Sequence, residues 1–144
     1  MTPAEEARLR TILTGSPTVA VLGIHDDDAR PAYYVPEYLH ERGYRVLGVN
    51  PKLAGRELFG EPVVARLADL REPIDLVDVF RRSEWLPDHV DELIALRPRV
   101  VWMQLGVRDD EVARKLRDAG IEVVMDRCTM ADHRLLRLGA PTRA

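Results

Sequence analysis

The chain has one cysteine, Cys128, so no internal disulfide can form. A lone thiol suits a reducing compartment. No apolar run approaches the ~18 residues of a membrane span. The amino end, Met1 to Arg10, carries Glu and Arg where a leader would be apolar. These absences lead us to expect a cytoplasmic protein. Strong charge of one sign is missing as well: a net charge of −3 gives no global field for nucleic acid. A local basic site for a phosphorylated ligand remains open. The glycine fingerprint G-x-G-x-x-G of dinucleotide sites is absent. His25, His40, His89 and His133 show no metal-site pairing at i+3 or i+4, so no metal is expected.

What is present is a globular balance, 46% hydrophobic and 31% charged, in 144 residues. That length buries enough surface to fold without a staple, so residues 1–144 are expected to form one domain. Thr2-Pro3 followed by Glu5 and Glu6 predicts a capped helix with Leu9, Ile12 and Leu13 on its apolar face, stopped by Gly15-Ser16-Pro17. Short apolar runs then recur at Thr18–Leu22, Tyr44–Val49, Ile74–Phe80, Val100–Leu105 and Glu122–Met125. Such runs suit strands covered on both faces.

Helical spacing fills most of the gaps. Val35, Tyr38 and Leu39 precede Gly43; Val90, Leu93, Ile94 and Leu96 precede Pro98; Val112, Leu116 and Ala119 precede Gly120. Gly43 and Gly120 stand where left-handed helix stops belong. A last helix is predicted near Met130–Leu138. The alternation predicts an α/β fold: a doubly wound, mainly parallel sheet with helices on both faces. Pro51–Arg71 reads as irregular, with a short helix at Val63–Leu70.

Ligands of such sheets bind beyond the carboxyl ends of the strands. After the first run, Gly23-Ile24-His25-Asp26-Asp27-Asp28 leads to Arg30 at the start of a helix. Backbone donors and a guanidinium there would meet a pyrophosphate, or the segment is a solvated acidic turn with a helix cap. After the second run, Asn50-Pro51-Lys52 has no acid for the ribose hydroxyls of NAD. It suits a phosphorylated ribose, as in coenzyme A (CoA) or NADP, or an ordinary turn with exposed basic residues. After the third, Phe80 could face an adenine and Arg81 or Arg82 a phosphate, while Ser83 is expected to cap the next helix. After the fourth, Gly106 lets backbone approach a ligand.

Several segments together resemble a known family. They are Val21-Leu22-Gly23, Arg30-Pro31 through Tyr38-Leu39, Val49-Asn50-Pro51-Lys52, Val77-Asp78-Val79-Phe80-Arg81, Val101 through Val107, and Val124 through Cys128. In that order they resemble the small stand-alone CoA-binding proteins, which are similar to the amino-terminal domain of the succinyl-CoA synthetase alpha subunit. The resemblance spans about residues 5–138 and implies a Rossmann-like fold holding CoA across four strand tips. It implies that Gly23, Ile24 and His25 line a phosphate loop with Arg30 at its helix. Asn50, Pro51 and Lys52 would form the second tip, with Lys52 as its basic residue. Val79, Phe80 and Arg81 would stand near the adenine. Gln104, Leu105 and Gly106 would face the thiol arm. Relatives commonly read Gly-Ala-Ser where this chain has Gly23-Ile24-His25, so either His25 replaces the hydroxyl as a donor or the pocket is weaker.

The phosphohistidine domain of the synthetase is expected to be absent. His89 beside Asp88 reads as solvated, and His133 after Asp132 as a remote catalytic candidate. Cys128 reads as a small packed residue, unless Arg127 lowers its pKa for a mixed disulfide with CoA. Trp85, Trp102, Met103 and Met125 read as core or interface. The expectation is non-catalytic binding of CoA or an acyl-CoA, against the alternative of an NADP-dependent oxidoreductase or a partial CoA-transfer enzyme. The oligomeric state is left open.

Overall fold

The computed structural model describes residues 1–142. The first helix, α1 (Pro3–Thr14), starts as its sequence predicts: Thr2 Oγ1 accepts the Glu5 amide at 3.1 Å. Five strands form the main sheet: β1 (Thr18–Leu22), β2 (Arg45–Val49), β5 (Leu76–Val79), β6 (Val100–Met103) and β7 (Glu122–Val124). Their order is β2-β1-β5-β6-β7, and every neighbouring pair is parallel. The predicted strands are therefore all present, each trimmed by up to two residues at an end where the chain turns away.

The helices α2 (Pro31–Glu41), α3 (Val90–Leu96), α4 (Asp110–Asp118) and α5 (Thr129–Leu135) cover both faces. On one face Leu9, Ile12, Leu13, Tyr38 and Leu39 pack with Val19, Val21, Leu76 and Trp102. On the other, Leu86, Val90, Leu93, Val112 and Leu116 pack with Ala20, Val77, Val79 and Val101. Every residue of β5 and β6 is buried, which explains why those runs read as continuous rather than alternating. Gly43 (φ +97°) and Gly120 (φ +85°) end α2 and α4 in the left-handed region, as expected. No helix of the described residues is long and apolar enough to cross a membrane.

The segment Pro51–Arg71 differs from its prediction. It forms a hairpin, β3 (Glu57–Leu58) with β4 (Glu61–Pro62), turning through Phe59 and Gly60 with positive φ. Two-residue strands carry no alternation for a sequence reading to find. The Phe59 ring instead ties the hairpin to α2, 5.2 Å from Tyr33 and 5.6 Å from His40. The helix expected at Val63–Leu70 shrinks to one tight 3-10 turn, Leu67–Asp69. Residues before it are drawn into sheet-like bonds, since the Val64 amide donates to Gly48 O at 3.0 Å.

Candidate functional site

The strand order reverses between β1 and β5, which lies beside β1 on the side opposite β2. At that point Gly23 has φ +88°, and a Cβ on it would sit 2.6 Å from Phe80 O. Only glycine lets the loop after β1 press against the tip of β5. The loop is held from three sides. The Gly23 amide donates to Val49 O at 2.9 Å. Asn50 Nδ2 donates to Ile24 O at 2.8 Å, while Asn50 Oδ1 accepts the Lys52 amide at 2.9 Å. The His25 amide donates to Ala32 O at 3.2 Å. That carbonyl is free because Pro36, one turn along α2, has no N–H to offer it.

Two cavities flank this crossing. The larger, about 550 Å³, opens between Gly23 and His25, the first turn of α2 and the tips of β5 and β6. Arg30, Tyr34, Phe80, Arg81 and Arg82 line it, and Gln104, Leu105 and Gly106 close it opposite Cys128 and Met130. The smaller, about 250 Å³, lies over the tip of β2 between Asn50, Pro51, Arg66, Asp88, His89 and Glu92. Gly23 and Arg81 border both. The Arg81 guanidinium lies 4.5 Å from the Trp85 ring, and its Nε is buried with no partner among the described residues. A buried guanidinium N–H left unsatisfied is costly, and an anionic ligand is the chemistry that satisfies it.

Most residues expected at the site are brought together. Gly23, His25, Arg30, Phe80, Arg81, Gln104, Leu105 and Gly106 border the larger cavity, and Asn50 and Pro51 the smaller. Three border neither. Ile24 is fully buried, with its side chain against Gly48, and Val79 is fully buried in the sheet. Val79 is turned into the core by its place in β5, and Ile24, in the turn after β1, by its packing against β2. Lys52 is exposed, and Arg66 joins Arg81 at the smaller cavity.

Other expectations change as well. Ser83 does not cap a helix; its Oγ accepts the Arg108 amide at 2.9 Å and pins the loop after β6. The acid missing from the β2 tip arrives from another element, since Asp88 and Glu92 reach that cavity. The local argument against NAD therefore loses its force. His89 is half-buried rather than fully solvated, and its Nδ1 lies 2.6 Å from Glu92 Oε1. His133 does not stand free at the sheet edge. Its ring is buried, with Nε2 donating to Gly139 O at 3.0 Å and Nδ1 accepting from Tyr38 Oη at 2.8 Å. Burial pushes its pKa down. Trp85 is exposed beneath two guanidiniums, whereas Trp102 and Met103 are buried core.

None of the three aspartates lines the larger cavity, although Asp27 pairs with Arg30 at 3.6 Å. Asp26 binds Arg56 of the hairpin at 2.5 Å, and Asp27 Oδ1 accepts the Ala29 amide at 3.0 Å. His25 Nδ1 accepts the Asp27 amide at 3.0 Å, which puts the proton of the neutral ring on Nε2. Arg127 does not activate Cys128. It is held by Asp132 at 2.7 Å, and burial pushes the thiol pKa up.

The residue that the sequence reading passed over is Asp78. It is fully buried in β5 and bonded to Gln104 Nε2 and, at 3.0 Å, to Thr129 Oγ1. Burial pushes its carboxyl pKa up to about 7, against the two hydrogen bonds, which pull it down. An aspartate inside an apolar strand was the available signal. Among the described residues, no group of three or more His, Cys, Asp or Glu side chains could hold a metal ion.

Comparison with known proteins agrees with this geometry. A family model described as a CoA binding domain matches residues 17–134. The uncharacterized protein YneT of Bacillus subtilis is 34% identical over 128 residues, covering 89% of this chain and 93% of its own. The solved structure of cell-free ID.343 from Thermus thermophilus is 54% identical with a TM-score of 0.89, covering 91% of this chain and 98% of that one. A dinucleotide-forming acetyl-coenzyme A synthetase from Ca. Korarchaeum cryptofilum shares the fold alone. It is 16% identical with a TM-score of 0.67, covering 78% of this chain and 26% of that one.

Proposed function

The chain belongs to the CoA-binding domain family, and on that premise we propose that it binds CoA or an acyl-CoA across the tips of β1, β2, β5 and β6 without transforming it. The observation that carries this reading is Arg81, whose partnerless buried Nε stands where the two cavities meet. A pyrophosphate near Gly23, Arg30 and Arg81 would satisfy that nitrogen and meet the close backbone that only glycine permits. The nucleotide end then belongs over Asn50, Pro51 and Arg66, and the pantetheine arm in the larger cleft toward Gln104 and Met130. The lining of the two cavities supports this division: arginines cluster at the crossing, and the cleft beyond it runs along Val35, Leu105, Val107 and Met130.

A binding role without catalysis is supported by where the reactive groups point. Asp78 and His133 are committed to partners inside the fold, and Cys128 is held in its thiol form. We further propose that residues 1–144 act as one domain in the cytoplasm, as a carrier or sensor of CoA.

Calorimetric titration with CoA, acetyl-CoA, NADP and NAD tests the reading. CoA and acetyl-CoA are expected to bind with the nicotinamide dinucleotides at least about tenfold weaker, a gap of about 1.4 kcal/mol. Tight NADP binding with no response to CoA would overturn it in favour of an oxidoreductase.

A further inference from the structure

Asp78, Gln104 and Thr129 form a closed ring of hydrogen bonds beneath the larger cleft. The two N–H groups of the Gln104 amide go to Asp78 Oδ1 and, at 2.9 Å, to Thr129 Oγ1. The Thr129 hydroxyl donates in turn to Asp78 Oδ2 at 3.0 Å. Asp78 thus accepts two hydrogen bonds, one on each oxygen, and donates none. This pattern requires Asp78 as an acceptor-only carboxylate, and it fixes the amide with its N–H groups inward. Gln104 is 4% exposed and borders the cleft, and among the described residues its Oε1 has no protein partner and is not sealed in the interior. The carbonyl oxygen therefore faces the cleft.

We propose that Asp78 is a positioning residue that sets, through one buried proton, whether Gln104 offers the cleft a hydrogen-bond acceptor or a donor. With Asp78 ionised, the cleft presents the amide oxygen and prefers a donor, the free thiol form of CoA. When Asp78 takes a proton from solvent onto Oδ1, its new O–H can donate to Gln104 Oε1. The amide then turns, and its N–H groups face the cleft, where they suit the carbonyl oxygen of an acyl thioester. This rests on the CoA reading of the site and adds to it a choice between thiol and thioester ligands.

The surroundings allow such a proton to matter. The cross-strand neighbours of Asp78 are Val21 of β1 and Trp102 of β6, neither of which titrates in this range. From α5 and its lead-in come Cys128, Asp132 and His133. Asp132 is neutralised by Arg127, which also meets Glu5 of α1, and His133 is bound to Tyr38 of α2. Arg81 and His25 border the same cleft. No cation pairs directly with Asp78 among the described residues, and its carboxyl, pushed up to about 7, titrates in the neutral range.

Two measurements test the proposal. The first is the ratio of acetyl-CoA to CoA affinity by calorimetry from about pH 5.5 to about pH 8. The ribose phosphate and pyrophosphate are common to both ligands, so their own titration cancels. Acetyl-CoA should gain on CoA about tenfold as pH falls through neutrality. In Asp78→Asn, which keeps an acceptor but cannot ionise, the ratio should be flat. A flat ratio in the wild type, or an unchanged pH dependence in Asp78→Asn, overturns the proposal. The second needs no ligand: the side-chain amide resonances of 15N-labelled Gln104 in the free protein. They should shift with a midpoint near neutrality and lose that shift in Asp78→Asn. An amide silent across the range overturns the proton switch even where CoA binds, whereas a shifting amide with no CoA binding leaves the switch standing and removes the CoA reading.

Discussion

At the amino ends of the strands, a cavity of about 420 Å³ is lined by Arg45, Glu72, Asp75 and Arg99. At the carboxyl ends, the cleft beside Arg30, Arg81 and Arg82 is of similar size. Cavity volume does not separate the two, and neither does the presence of charge. The difference is in who partners whom. Arg45 is bound by Glu61 and Glu72, Arg99 donates to Gly15 O at 3.0 Å, and Asp75 accepts the Thr18 amide at 2.9 Å. Arg81, at the other end, has a buried Nε with nothing to bond among the described residues. Charges at the amino end are spent on tying strand starts to neighbouring turns. At the carboxyl end, where Arg30 and Arg82 also pair with carboxylates, Arg81 is held in place with bonding capacity left over, which is what a binding site requires.

Breaking each end should therefore have different consequences. The largest effect is expected from Gly23→Ala, where φ +88° and a contact of 2.6 Å to Phe80 O leave no room for a Cβ. A loss of about 3 kcal/mol in unfolding free energy is expected from strain of this kind, together with loss of CoA binding. Thermal melts and calorimetry report both. Next is Arg81→Ala, expected to weaken CoA about thirtyfold while changing unfolding little, since it removes a charge-assisted bond to ligand and none to protein. Equal damage to stability would place Arg81 with the structural arginines instead.

Asp78→Asn sharpens the comparison through pH. The folded carboxyl has its pKa raised to about 7 from 3.8, so the folded state binds the proton more tightly than the unfolded one. The stability this provides is complete below the unfolded value and is lost as pH rises through the folded value. Asp78→Asn should therefore be the more stable protein at about pH 8, by on the order of 2 kcal/mol, with the gap closing toward about pH 4. Urea melts at both ends of that range test the sign. A smaller effect is expected at the β2 tip. Arg66→Ala should weaken CoA about fivefold and dephospho-CoA less, while Lys52→Ala leaves both ligands nearly unchanged. The reverse result would return the ribose phosphate to Lys52. Smallest of all, Arg45→Ala should cost about 0.5–1 kcal/mol of stability, as exposed ion pairs do, and leave CoA affinity alone.

Some of this was written plainly in the chain. Val100–Met103 reads as a buried strand because all four residues are covered, and Thr2 and Gly120 mark helix ends because a cap and a left-handed stop need those residue types. The hairpin at Glu57–Pro62 was not legible, because its identity comes from Phe59 reaching across to Tyr33 and His40 of α2. Within the site, Gly23 and Arg81 could be picked out by position after a strand. Ile24, one residue on from Gly23, could not be assigned to the core without knowing that Gly48 of β2 lies against it. Ser83 looked like a cap because it precedes a helical turn, yet Arg108, distant in sequence, claims its oxygen.

By itself the sequence determined the alternation of strand and helix and the ends of most elements. These follow from periodicity and from local backbone preference, which neighbouring residues decide among themselves. Tertiary structure alone decided that Arg81 borders two cavities without a partner for its Nε among the described residues, that Arg66 rather than Lys52 lines the second, and that Asp78 meets Gln104 and Thr129. The reason is that hydrogen-bond satisfaction is settled between atoms far apart in the chain. A strand order that sets β5 between β1 and β6 chooses which polar groups meet, and so which one is left to meet a ligand.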